Sequence, residues 1–171
     1  MACGGSSDVP VSSFRHADGG AHASHISADN KIAVVSTILN GITVWDLNTN
    51  KKLYVWRHQD DGSNSVTNIH IAFDNSFVVT SDREAFALWN LDVGEPEGFW
   101  RIDEASIRDI AVSNQGRGVL VGRGSGKVMF FEPKTGRRLE FLGHQEKINS
   151  VDISPNGFYA LTGGNDYLAY L

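Results

Sequence analysis

Apolar residues in this chain fall in short runs broken by small and polar clusters, and one spacing recurs. Val66, Ile69 and Ile71 open one copy, Ile107, Ile110 and Val112 a second, and Ile148, Val151 and Ile153 a third. Ala21, Ser24 and Ile26 form a degraded earlier copy. Each is followed by turn-forming residues: Ser27-Ala28-Asp29-Asn30, Ala72-Phe73-Asp74-Asn75, Ser113-Asn114-Gln115-Gly116 and Ser154-Pro155-Asn156-Gly157. Gly, Asn, Asp, Ser and Pro favour reversal of the chain, so these positions predict turns. A second apolar run then begins at Ile32, Phe77, Gly118 and Phe158, and a third ends on an aromatic at Trp45, Trp89 and Phe131. A fourth run, Leu53 to Arg57, Phe99 to Ile102 and Leu139 to Leu142, closes the first three copies. Short runs rich in β-branched and aromatic residues, with turn signals every 8–12 residues or so, predict antiparallel strands.

The period selects the architecture. Trp45 and Trp89 are 44 residues apart, and Trp89 and Phe131 are 42 apart. A four-stranded propeller blade repeats at about 40–45 residues, whereas a β-sandwich has no reason to repeat its sequence at that interval. The expected fold is all-β: a β-propeller of about four blades, the last incomplete, over residues 9–171. The units run from about 17–58, 59–102, 103–143 and 144–171.

Ile42-Thr43-Val44-Trp45-Asp46-Leu47-Asn48-Thr49-Asn50 resembles the end of a WD-repeat unit. The last unit is similar to that family at more points, with Gly143-His144, Ser154-Pro155-Asn156-Gly157, Thr162 and Asp166. The resemblance implies that His144, Thr162 and Asp166 belong to the family's hydrogen-bonded tetrad, whose Trp falls just after Leu171. Buried imidazole and carboxylate groups persist when their polar atoms are paired. Units two and three depart from the pattern, with Arg83 and Ser125 where a turn carboxylate is expected and Asn90 and Glu132 after the signature aromatic. Units one to three are therefore expected to be held by apolar packing alone. In this family closed rings usually have about seven or eight blades, and an N-terminal strand such as Val9 to His16 commonly completes the last one. That strand is expected to belong to a missing preceding blade or to pair with unit four of the same or another chain, and two copies assembling an eight-bladed ring is one expectation from the unit count.

Composition narrows the functional classes. The chain has 171 residues, 15 basic and 20 acidic, for a net charge of −5. Such a balance argues against a general nucleic-acid binder, and no run reaches the roughly 18 apolar residues of a membrane span. Asp60 to Asp103 carries two basic residues, Arg83 and Arg101, against nine acidic. Glu104 to His144 carries seven basic against four. This asymmetry reads either as oppositely charged faces for a partner or as ordinary solvated surface. The single cysteine, Cys3, excludes an intrachain disulfide framework. Residues 1–8 resemble the start of a mature bacterial lipoprotein, which implies a lipid on Cys3, a flexible Gly/Ser tether and an envelope location facing the periplasm. The other reading is an ordinary chain start in a cytoplasmic protein. Any contact with a membrane runs through that lipid.

Candidate chemistry is sparse. Gly122 to Lys127 lacks the first glycine and the hydroxyl of a phosphate-binding loop and lies between strands, so a tight turn is expected. His22 and His25 near His16 lack the further ligand of a zinc site, and no metal or cofactor is expected. No Ser or Cys stands beside an oriented His, which excludes the usual nucleophilic arrangements. The expected function is a non-catalytic scaffold for protein partners. Its contacts are placed on loops at Arg83, Arg108, Arg123, Lys147 and Tyr167, residue types that often anchor interfaces. The alternative is an enzyme with a cofactor or metal in the central channel. The predicted inner strands offer it mainly apolar residues, with His70 and Asp152 isolated.

Overall fold

A computed structural model describes residues 20–37, 41–58, 65–102 and 106–171. The expected tether with Cys3, the strand expected over Val9 to His16, and His16 itself lie outside the described residues.

The first sheet holds β1 (Ala21–Ile26), β2 (Ile32–Thr37), β3 (Gly41–Asp46) and β4 (Lys51–Trp56). The second holds β5 (Asn68–Ile71), β6 (Phe77–Ser81), β7 (Ala85–Asn90) and β8 (Pro96–Arg101). The third holds β9 (Ile107–Val112), β10 (Val119–Arg123), β11 (Lys127–Glu132) and β12 (Arg137–Leu142). The last has three strands, β13 (Ile148–Ile153), β14 (Ala160–Gly164) and β15 (Ala169–Tyr170). In every sheet the strands pair in sequence order, antiparallel throughout. β1, β5, β9 and β13 lie side by side in turn, so the sheets are consecutive blades of a β-propeller around an axis. Among the described residues the only helical piece is a single 3₁₀ turn, Asn114–Gly116, and no helix is long and apolar enough to cross a membrane.

The turns follow from the residues predicted to make them. After β1, β9 and β13, a serine hydroxyl accepts the amide that re-enters the next strand: Ile32 to Ser27 at 2.9 Å, Gly118 to Ser113 at 3.0 Å and Tyr159 to Ser154 at 2.9 Å. Asn30 and Asn75 take the positive φ these turns need, a conformation that asparagine tolerates better than most residues. Gly124 and Ser125 form the turn between β10 and β11, where Gly126 has φ +82 and a side chain would run into the carbonyl oxygens of His144 and Glu146. This is the tight turn expected of that glycine-rich segment.

Packing explains why the middle strands read as unbroken apolar runs. Alternate residues of a strand face opposite sides of its sheet. On β6, Val78 joins the cluster between blades one and two, with Val34, Val44, Trp56 and Trp89. Val79 joins the cluster between blades two and three, with Phe86, Leu88, Phe131 and Met129. A third cluster, with Leu120, Val128, Ile148 and Val151, joins blades three and four. Blades with neighbours on both sides bury both faces, so period-two alternation gives way to continuous hydrophobicity.

Candidate functional site

Blade two contains a buried polar chain. His58, whose side chain is 1% exposed, sets Nδ1 3.2 Å from Asp82 Oδ2 and Nε2 2.8 Å from Thr80 Oγ1. Trp89 Nε1 donates to the same Thr80 oxygen at 2.8 Å. An indole N–H can only donate and a carboxylate can only accept, so the chain has one direction. The Trp89 N–H goes to Thr80, the Thr80 hydroxyl to His58 Nε2, and the His58 Nδ1–H to Asp82. Burial works to raise the Asp82 carboxyl, but hydrogen bonds from His58 and from the amides of Glu84 and Ala85 outweigh it and hold the group below its ordinary value. The expectation that apolar packing alone holds this blade is corrected. The turn between β6 and β7 places its carboxylate at Asp82, one residue before Arg83, and Glu84 and Ala85 amides fix it at 2.7 Å each. The sequence signal was His58 itself, just beyond the closing strand, as His144 is in the last unit.

In the last blade the structure brings His144, Thr162 and Asp166 together. His144 Nδ1 is 2.8 Å from Asp166 Oδ1 and Nε2 is 2.9 Å from Thr162 Oγ1. Asp166 also accepts the amides of Gln145 at 3.0 Å and Leu168 at 3.3 Å. These bonds, led by His144, overcome the effect of burial and keep its carboxyl below the ordinary value. The ring lies so close over Gly164 that any side chain there would strike it.

The signature aromatics differ in what they can bond. Trp45 Nε1 donates to Thr43 Oγ1 at 3.0 Å, so in blade one the hydroxyl sits on β3, across from Val35, which takes the register of Thr80. Blade one is thus not held by apolar contacts alone either. Phe131 has no donor, and Val121 fills the hydroxyl's register. Blade three alone matches the apolar expectation at this position.

Arg83, Arg108, Lys147 and Tyr167 are exposed at the end of the blades where β1, β5, β9 and β13 begin. Tyr167 is 98% exposed, at the tip of the β14–β15 turn. A cleft of about 420 Å³ opens between blades one and two at this end, lined by His22, Thr67, Asp82, Arg83, Glu84 and Arg101. Arg123 departs from the expectation of a loop contact. It is the last residue of β10, 2% exposed and ion-paired with Glu140 of β12, two strands away across β11, so its guanidinium is turned into the blade.

The inner strands hold the remaining candidates. His70 Nε2 is 3.7 Å from Asp152 Oδ1, and the His25 and His70 rings are 5.1 Å apart. His70 and Asp152 are thus not isolated: His25, His70, Ala111 and Asp152 each precede the last residue of their strands, so the repeat places them in one register around the axis. Burial lowers the pKa of His25, with Asp152 opposing. Burial also lowers that of His70, assisted by His25 and opposed by Asp152 and Asp109. Among the described residues no three His, Cys, Asp or Glu side chains are placed to hold a metal ion. His22 is at the other end of β1 from Ile26 and faces the cleft beside Arg83.

Residues 136–171 match the family model described as "WD domain, G-beta repeat". Autophagy-related protein 16 of Arabidopsis thaliana is 29% identical over 146 residues, which cover 82% of this chain and 28% of that protein. Polyadenylation factor subunit 2 of Cryptococcus neoformans is 30% identical over 88 residues, covering 52% of this chain and 12% of that protein. The chain thus spans under a third of the length of these curated relatives. Two solved structures, "Structure of U3-55K" and "Crystal structure of RRP9 WD40 repeats", each superpose with a TM-score of 0.73 over 88% of this chain, at 14% and 15% identity. They cover 47% and 46% of those chains, and the likeness is one of fold.

Proposed function

Since the chain is a WD-repeat β-propeller, we propose that it is a non-catalytic scaffold that binds protein partners through the loop face bearing Arg83, Arg108, Lys147 and Tyr167. One observation carries the reading: these exposed side chains sit at one end of the blades, Arg83, Lys147 and Tyr167 between strands and Arg108 at the start of β9, on sheets whose buried residues lock blade to blade. Rigid elements that present variable loops suit recognition, and Arg and Tyr are frequent anchors there. The cleft between blades one and two gives that face a concave feature with both charge signs. The His–Thr–Asp constellations serve as structural ties in this reading, since their polar atoms bond one another inside the blades.

The test is site-specific photo-crosslinking in the native cell extract. Crosslinkers at Arg83, Arg108 and Tyr167 are expected to capture the same partner, while crosslinkers at Leu53 and Val55 on the exposed outer strand β4 do not. Equal capture from both places removes the loop face from the reading.

A further inference from the structure

At the opposite end of the blades, where the first strand of each sheet turns into the second, the inner strands line a cleft of about 240 Å³. Its polar groups are His25, His70 and Asp152, and its apolar surface includes Ile26, Phe73 and Pro155. Ile26 is 57% exposed and Phe73 66%, so the rim is open and hydrophobic. Beside these apolar residues stands a carboxylate. The Asp152 side chain is 70% exposed, and its Oδ1 accepts only a bond from its own strand, the Ile153 amide at 2.8 Å.

The two imidazoles are not equivalent. His70 Nδ1 accepts the Val112 amide at 3.3 Å, a bond that requires this nitrogen to be without a proton. The neutral ring therefore holds its proton on Nε2, the atom that faces Asp152. His25 Nδ1 is shielded from solvent and has no hydrogen-bond partner. Asp109, the other carboxylate near His70, is already engaged by Ser150 Oγ at 3.1 Å and the Val151 amide at 2.8 Å. Asp152 Oδ1 is thus held by the Ile153 amide beside His70 Nε2, and Oδ2 is the oxygen left for a ligand.

We infer that this mouth receives one lysine or arginine side chain of a protein partner, its cationic head on Asp152 and its methylene stem against Ile26 and Phe73. A cationic head on an aliphatic stem matches apolar residues set beside a carboxylate, because such side chains cover hydrophobic surface while keeping the charge paired. An anionic ligand would meet the Asp152 charge, and a wholly apolar one would strip water from that carboxylate without replacing it. The cleft, at about 240 Å³, has room for one long side chain. Burial keeps both imidazoles uncharged near neutral pH, which leaves the Asp152 charge unopposed. Protonating them adds positive charge beside the site, so occupancy should fall in acid. This surface is distinct from the loop face, and either can fail alone.

The experiment is an NMR titration of the whole chain with acetyl-Gly-Lys-Gly-amide, followed at the imidazole carbon protons of His25 and His70. Norleucine in place of lysine is the uncharged control. The lysine peptide is expected to shift both rings at neutral pH. The norleucine peptide, and the lysine peptide added to Asp152→Asn, should each bind about tenfold more weakly. Asp152 is exposed, so the variant should fold, and an unchanged far-ultraviolet spectrum verifies it. The lysine shifts should also shrink once the histidines are protonated. Equal binding of the two peptides, an unaffected Asp152→Asn, or no shift at millimolar peptide would each overturn the inference.

Discussion

Blades two and three lie against each other and share a cluster, yet they fill the same four register positions with different chemistry. Blade two has His58, Thr80, Asp82 and Trp89; by position after the closing aromatic and along the strand pairs, blade three has Ile102, Val121, Arg123 and Phe131. In the first set a relay of hydrogen bonds runs from an indole to a carboxylate through the blade. In the second, Ile102, Val121 and Phe131 pack in the shared cluster, and Arg123 turns to Glu140. The aromatic contact between blades is kept in both. Trp56 of blade one stacks on Trp89 at 4.9 Å and 6°, and Trp100 of blade two meets Phe131 at 4.9 Å edge-on. The fold therefore demands an aromatic at this place, and it accepts a polar chain beneath that ring only when every member finds a partner. A half-satisfied chain is worse than an apolar one, because an unpaired buried group keeps its full desolvation cost.

The comparison can be broken from either side. The largest effect is expected in blade three, where Phe131→Ala empties the ring's place in the shared cluster. A loss of about 3–5 kcal/mol, read as a lower urea midpoint, is expected for a buried aromatic. Next is Asp82→Ala in blade two, which strands the His58 Nδ1–H and two amides; a loss of about 1–3 kcal/mol should follow. A loss near zero would mean that the relay does not stabilise the blade. Exchanging the two designs sharpens the contrast further. Thr80→Val removes the acceptor of the Trp89 N–H, and Val121→Thr buries a hydroxyl opposite Met129 and near Phe131, where neither ring nor thioether donates. Both should destabilise, by about 1–2 kcal/mol each, although they are the same change in opposite directions.

Acid separates the blades more gently. Asp82 is held below its ordinary pKa, so the folded state binds fewer protons than the unfolded one around that value. Its stabilisation is complete above the unfolded carboxylate value and is lost as pH falls through the folded one. Between about pH 5 and pH 3 the native chain should lose more stability than Asp82→Asn, as judged by urea midpoints. Other carboxylates contribute to both, so only the difference reports on Asp82. The smallest effect is expected at the rim. Arg101 and Glu84 pair at 3.3 Å with side chains 65% and 73% exposed, and Arg101→Ala should cost under about 1 kcal/mol.

Much of the fold was legible because strand formation here is a local matter. Val66, Ile69 and Ile71 with their later copies set the register, the Ser and Asn turns ended each strand, and the Trp45–Trp89–Phe131 spacing set the blade. His144, Thr162 and Asp166 could be singled out because the last unit keeps the regular spacing, and the structure brings them together. His58 and Asp82 escaped notice because the turn after β6 is shorter and the segment leading to β5 is longer, which displaces both residues from the expected positions. Counting along the chain does not see that two such shifts meet at one point in space.

Sequence by itself determined which residues alternate, where the chain reverses and how often the unit recurs, since these rest on backbone preference and side-chain period. Outside the last unit, only the tertiary structure decided which polar groups are paired. Arg123, read as a loop contact, is buried against Glu140, and His70 and Asp152, read as isolated, share one cleft with His25, which was read beside His22. The physical reason is that pairing and burial depend on distances between blades, and residues about 40 apart in sequence become neighbours only when the inner strands close around their axis.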